Sequence, residues 1–392
     1  MRVLSALTIT ASALLGLLTL GQLIPLPLAD FVGGVAVVYW AWVALAAAAL
    51  LVTAVLLWRR RRTVPRAVAA LLACLALAVY GTAGARQVAW AQQQGAEVTA
   101  GSVLGVAQVA DVPDATISCA DSRGRTLPAT VYTPANPGGA PVLVWIHGGA
   151  WNSGSHTATV HNRWLADRGY LVYSLEYTLA SSEEHTWDQL VPQLQCGIQT
   201  IADDAATRGA NTSAVGLLGE SAGGHLALLL GTTMPITGAC GGEMPEVAAV
   251  AVEYPAANPG LTAGLDPLMA AVTRQRQTLL AGCTATECPE RFAAITPGEH
   301  VRADSAPSLL VVPEKDHVVP PQGAFDLVAR LQETGVDTEA LVVPAADHGF
   351  DGNTADLPAQ VFRLRAVEWL EQHGRSSPLL WCSFRRSGAG VG

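Results

Sequence analysis

The chain has 392 residues, half of them hydrophobic, and a formal net charge of −9. Such a composition excludes a disordered or collagen-like chain and leaves room for two or three domains, one of them in a membrane. The acidic balance also argues against nucleic acid as a partner, because the overall field repels a phosphate backbone.

Hydrophobicity is concentrated at the start. Val3 to Ala29 and Phe31 to Trp58 carry no charge, and Ala67 to Ala85 is a third uncharged stretch of mostly Ala, Leu and Val. A spanning helix needs ~20 largely apolar residues, so residues 1–85 are predicted to form a membrane region of three transmembrane helices. Arg59, Arg60, Arg61, Arg62 and Arg66 lie between the second and third stretches, whereas Asp30 alone separates the first from the second. Short arginine-rich loops stay cytoplasmic. The chain after about residue 86 is therefore expected on the extracytoplasmic side of a multi-pass cell-membrane protein. A cleaved signal peptide over residues 1–29 is the rival reading. Its apolar run is long for that role, and it leaves the side of the C-terminal domain unchanged.

Residues 1–85 hold six arginines and one acid, so 86–392 keep 17 basic and 31 acidic residues, or about −14. Of seven cysteines, Cys74 falls inside the third span, while Cys119, Cys196, Cys240, Cys283, Cys288 and Cys382 all lie in the portion placed outside. An even number in an oxidising compartment suggests up to three disulfides. Cys240, Cys283 and Cys288, at or near one inserted segment, are the first candidates for a bridge.

Residues 86–111 read as a polar linker and 112–374 as a domain in which strand-like and helix-like runs alternate. Strands are predicted at Ala115 to Ala120, Ala129 to Thr133, Val142 to Ile146, Tyr170 to Leu175, Val215 to Leu218, Val247 to Glu253, Ser308 to Val312 and Ala340 to Val343. Helices are predicted at Val160 to Arg168, Trp187 to Arg208, Ala222 to Leu230, Gly323 to Glu333 and Ala359 to Gln372. That rhythm argues an α/β fold with a mostly parallel sheet covered on both faces. Residues 255–300 break it and suit an inserted cap, and 375–392 are left as a Gly-rich tail with no assigned role.

The segment Gly219-Glu220-Ser221-Ala222-Gly223 sits where a strand turns into a helix, the setting of a G-x-S-x-G nucleophile elbow. Upstream, the strand ending at Ile146 runs into His147-Gly148-Gly149-Ala150-Trp151. Amides there, at Gly148 and Gly149, together with that of Ala222, are the expected donors to the negative oxygen of an acyl-transfer intermediate. A serine hydroxyl needs a base, and that base a carboxylate. His348 follows a strand-like run and opens a loop, and Asp316 stands just beyond Ser308 to Val312. Asp347 and Glu314 are the rival carboxylates. His225 is expected to pack on the elbow helix, and His156, His161, His185, His300, His317 and His373 are expected in solvent. Trp151 and Trp187 are candidates for a pocket wall or for core packing.

Together the HGGAW, GESAGG, DHVVP and DHGF segments, spread over roughly residues 125–373, resemble the α/β-hydrolase superfamily, and the first two resemble its esterase/lipase group related to hormone-sensitive lipase. The resemblance implies ester hydrolysis through an acyl-serine, with no cofactor and no metal. Two departures bear on the substrate: Ala150-Trp151 stands where many relatives have a third glycine, and Tyr177-Thr178-Leu179-Ala180 lacks an Ala-Pro pair. The expected function is a membrane-anchored carboxylic-ester hydrolase acting on a small-molecule, lipid or glycan ester. A prolyl-oligopeptidase-like peptidase is the second reading, disfavoured by Ala222 after the serine. A hydrolase-like binding domain is the third.

Overall fold

A computed structural model describes residues 1–24, 27–106, 111–157, 160–235, 237–352 and 356–374. The apolar portion forms α1 (Arg2–Leu23), α2 (Pro27–Val38), α3 (Trp40–Arg60) and α4 (Val64–Gln93). Of these, α1, α3 and α4 are long and apolar enough to cross a membrane. The second uncharged stretch thus divides into a short α2 and a spanning α3. Their basic end is stapled by Arg66, whose guanidinium donates to Ser5 Oγ at 2.9 Å and to the Leu57 carbonyl at 3.0 Å.

One boundary differs from expectation. Residues 86–93 are not linker but the last turns of α4, which runs unbroken for 30 residues, roughly 45 Å at 1.5 Å per residue. Ala, Gln, Arg and Trp at that end include no helix breaker, so polarity changes while the backbone does not. The extension carries α4 onto the next domain: Arg86 pairs with Glu314 at 2.8 Å and Gln87 Nε2 donates to the Ala345 carbonyl at 3.1 Å. A short α5 (Ala100–Leu104) follows, with Trp42 of α3 donating to the Leu104 carbonyl at 2.9 Å.

The remainder builds β1 (Ala115–Ala120), β2 (Thr126–Tyr132), β3 (Pro141–Ile146), α6 (Asn162–Ala166), β4 (Leu171–Leu175), α7 (Leu190–Thr207), β5 (Asn211–Glu220) and α8 (Ser221–Thr233). After these come β6 (Glu246–Glu253), α9 (Pro267–Ala281), α10 (Pro289–Ile295), β7 (Ser308–Pro313), α11 (Gln322–Glu333), β8 (Thr338–Val343) and α12 (Leu357–His373). The sheet order is β1-β2-β4-β3-β5-β6-β7-β8. β1 and β2 are antiparallel to their neighbours, and β4 through β8 are parallel. Continuous apolar runs such as Val142 to Ile146 and Leu309 to Val312 are buried because helices cover both faces. One face packs under α7, α8 and α11 around Val144, Leu194, Leu226 and Leu331. The other packs under α6 and α12 around Trp145, Leu165, Phe362 and Leu370. This is an α/β-hydrolase fold with a mostly parallel sheet. Residues between β6 and β7, including α9 and α10, form the insertion.

Cys283 and Cys288 bridge within that insertion, while Cys240 bridges to Cys196 on α7. Cys119 is buried and free, Cys74 is free, and Cys382 lies outside the described residues. The Cys196–Cys240 bridge closes a 44-residue separation around the elbow helix and the strand before it. Cross-links of that span typically contribute ~2–4 kcal/mol. Reductant should therefore lower the unfolding temperature of the wild type, and should lower it little further in Cys196→Ser, which has already lost the longer loop.

Candidate active site

β3 and β5 lie side by side in parallel, with Ile146 opposite Gly219. Both strands therefore release their chains at the same sheet edge, one into the glycine loop and the other into the elbow. Ser221 sits at φ 49°, a left-handed conformation that costs a non-glycine residue ~1–3 kcal/mol. The flanking glycines make the turn possible. A Cβ on Gly219 would stand 2.7 Å from the Ile146 carbonyl oxygen, and one on Gly223 would overlap the carbonyls of both Ile146 and His147. Ala150 and Trp151 likewise hold positive φ, at 53° and 61°.

Ser221 Oγ is 2.9 Å from His348 Nε2, and His348 Nδ1 is 2.7 Å from Asp316 Oδ2. Loops after β5, β7 and β8 thus bring the three residues into one chain of hydrogen bonds. Asp316 is fixed in turn, its Oδ1 accepting from the amides of Val318 and Val319 at 2.8 and 2.7 Å. The rival carboxylates are engaged elsewhere. Glu314 pairs with Arg86, while Asp347 ties two loops together by accepting from the amides of His317 (3.0 Å) and His348 (2.7 Å) and pairing with the His317 ring. Burial pulls the His348 imidazole down, but the charge and hydrogen bond of Asp316, with the charge of Asp347, outweigh it and hold the ring above its ordinary 6.5.

Residues Gly148, Gly149 and Ala222 line a cleft of about 410 Å³ above Ser221. Their amides are not equivalent. The N–H of Gly148 donates to Glu220 Oε1 at 3.3 Å, whereas those of Gly149 and Ala222 have no partner among the described residues. His147 braces the loop: its ring bonds Glu176 Oε1 at 2.7 Å and stacks on Tyr177, whose hydroxyl donates to the His147 carbonyl at 3.0 Å. Glu176 and Tyr177 were not legible as loop supports, although an acid and a tyrosine just past a buried strand are the available signal. Trp151 lines the cleft and donates to His225 Nδ1 at 3.1 Å, while His225 Nε2 bonds the Ile295 carbonyl at 2.6 Å. Burial lowers His225 to about 4, so it is neutral and joins the elbow helix to the insertion. Trp187 instead packs beneath Arg291.

Several histidines expected in solvent are not there: His373 pairs with Asp337 at 2.9 Å against Trp369, and half-buried His185 bonds the Leu279 carbonyl at 2.8 Å. His317 is held by Asp347, and His161 is fully buried against Trp145 and Phe362, its Nε2 2.7 Å from Glu253 Oε1 and 3.6 Å from Asp351 Oδ2. With Tyr254, whose hydroxyl contacts Glu220 Oε2 at 2.7 Å and also Asp351, these residues form a polar network beneath the elbow. Burial, then the Asp351 charge, push Glu220 up to about 8, and burial with the same neighbour lifts Glu253 well above its ordinary value. Burial opposes ionisation of Asp351 as well, yet bonds and charge from His161 and the bond from Tyr254 hold it low. Asp351 is therefore the member that keeps its charge at neutral pH, near the buried Arg363.

The BD-FAE family model matches residues 130–331, which is half of the chain and contains Ser221 and Asp316. The chain belongs to the BD-FAE family. It is 29% identical over 230 residues to Esterase LipC of Mycobacterium tuberculosis, covering 56% of this chain and 54% of that one. The probable carboxylic ester hydrolase LipM of the same organism is 24% identical over 62% of this chain and 57% of its own length. This BD-FAE member thus spans about half the length of the curated relatives it matches. Native esterase 2 of Thermogutta terrifontis shares the fold with a TM-score of 0.55 and 21% identity, covering 69% of this chain and 96% of that one.

The raised Glu220 generates a stability prediction. A native carboxyl at about 8 retains a proton that the unfolded chain, at 4.5, has released. Its contribution therefore drains away as pH rises from 4.5 through 8, by at most ~1.4 kcal/mol per pH unit. Glu220→Gln should flatten the decline of unfolding temperature over that window, measured by scanning at a series of pH values.

Proposed function

We propose that this chain is a membrane-anchored serine esterase whose hydrolase domain faces away from the cytoplasm. The observation that carries the chemistry is the Ser221–His348–Asp316 chain of hydrogen bonds, placed beside the free amides of Gly149 and Ala222. Asp316 accepts from Nδ1–H and so fixes the tautomer in which Nε2 is free to take the Ser221 proton. As that proton leaves, Oγ bonds to the ester carbonyl carbon and the carbonyl oxygen becomes an oxyanion facing the two amides. The imidazolium then protonates the departing alkoxide, giving the alcohol and an acyl-serine. Water gives a proton to His348 as its oxygen attacks that acyl group; the C–Oγ bond then breaks, His348 returns the proton to Ser221 Oγ, and the acid is released. Gly148 shapes the loop in this scheme, and the amides of Gly149 and Ala222 form the oxyanion hole.

The names of LipC and LipM support an ester substrate, and the intact relay speaks against a purely binding role. Arginines at one end of the helical bundle, with the domain attached at the other, support the outward orientation, as do the two disulfides.

Ser221→Ala should lose labelling by a fluorophosphonate probe and nearly all hydrolysis of 4-nitrophenyl butyrate. Asp316→Asn should lower kcat by ~10,000-fold. Failure of the folded wild type to be labelled would overturn the nucleophile assignment.

Because the base must be unprotonated and its pKa is raised, kcat/KM of the wild type should fall on acidification with a midpoint above 6.5. A midpoint below 6.5 would contradict the Asp316 contact.

Lys315 is the only lysine of the chain and is exposed. A membrane-impermeant amine-reactive biotin ester should therefore label wild type in intact spheroplasts, and Lys315→Arg should abolish that labelling. Labelling that required lysis would reverse the orientation.

A further inference from the structure

The cleft above Ser221 has a polar wall that the steps of ester cleavage leave unused. Thr273 and Arg276 of α9 line the same cavity as Ser221 and His348, and a separation of three residues places them on one face of the helix. The Arg276 side chain is half-buried, and burial lowers its pKa from the ordinary 12.5 with no acid offsetting the shift. Among the described residues it forms no ion pair and no hydrogen bond. Thr273 Oγ1 is buried and also lacks a partner.

Several other arginines of the domain are matched to acids, Arg125 with Asp121 and Glu184, Arg163 with Asp114, Arg208 with Asp204 and Arg365 with Glu339, while Arg168 and Arg291 lie over the rings of Trp164 and Trp187 and bond backbone carbonyls. Acids outnumber bases by 31 to 17 over residues 86–392, so a partner for Arg276 is not short in supply. A guanidinium withdrawn from water without a counter-charge costs stability. In a cleft wall, that cost is offset when a ligand brings the missing anion.

We propose that the preferred substrate is an ester bearing a second, ionised carboxylate, which the fork of Arg276 grips while Thr273 donates its hydroxyl to a carboxylate oxygen. The inference rests on Ser221 being the nucleophile of this cleft. It names the substrate class as half-esters of dicarboxylic acids or esters of hydroxy acids, in preference to neutral alkyl esters. Arg276 acts there as a specificity residue.

The full chain in detergent is assayed on mono-4-nitrophenyl adipate against 4-nitrophenyl hexanoate, which places the carboxylate on the acyl side, and on 4-acetoxybenzoate against its methyl ester, which places it on the alcohol side. Wild type should favour one carboxylate ester over its neutral match. Arg276→Gln should reduce that anionic-to-neutral ratio of kcat/KM by ~10- to 100-fold, the worth of a charged hydrogen bond, and Arg276→Lys should restore part of it. No preference in wild type, or a ratio that Arg276→Gln leaves unchanged, overturns the proposal.

If wild type cleaves none of the four esters, the esterase reading falls and binding alone decides. In the Ser221→Ala background, monomethyl adipate at millimolar concentration should raise the unfolding temperature, and adding Arg276→Gln should abolish the rise. Absence of any rise overturns the inference.

Discussion

The parallel pairing of β3 with β5, closed by the contact of Gly223 against the carbonyls of Ile146 and His147, is the constraint from which the rest of the site follows. That contact brings the glycine loop beside Ser221, so that Gly149 and Ala222 line the same cleft as Ser221. A methyl group at position 223 would push the two strand ends apart and separate the serine from the donors. The positive φ of Ser221 is held by this close approach, since neither strand can relax without breaking the ladder on its far side.

Beneath the elbow, Glu220, Glu253 and Asp351 are crowded into a space with little solvent. Three charges there would repel one another strongly; burial and this repulsion push Glu220 and Glu253 up, while the bonds to Asp351 hold it low. The arrangement has a directional consequence: Glu220 accepts from the Gly148 amide on one side and contacts the Tyr254 hydroxyl on the other, and is so held from both directions just before Ser221. His225 does the same job above, tying Trp151 and the insertion to the elbow helix. The serine is thereby fixed by hydrogen bonds that converge from several segments of the chain.

How much of this was legible depended on whether the signal was local. Ser221, Asp316 and His348 stand in short motifs at the ends of apolar runs, so period, composition and turn residues are enough to expect them together and to predict the strands that carry them. Residues whose role depends on a distant partner were not legible. His161 looked like a surface histidine because Asn162 and Arg163 follow it, yet it is enclosed by Glu253 and Phe362, distant in the chain. Asp347 could be ranked only by its adjacency to His348, and its partnership with His317 across 30 positions had no linear trace. The end of α4 is illegible for another reason: hydropathy falls at Arg86 while the helix continues to Gln93, because hydropathy reports the solvent and not the backbone.

That continuation of α4 changes how the membrane portion relates to the site. A tether would join the domain through a flexible segment, but here Arg86 and Gln87, on the helix itself, grip Glu314 and Ala345. Those two residues begin the loops that hold Asp316 and His348. α2 touches the same place, since a Cβ on Gly34 would overlap the Asp347 carboxylate that joins these loops. The loops that carry Asp316 and His348 therefore rest on the apolar helices as well as on β7 and β8, whereas Ser221 is carried by β5 alone.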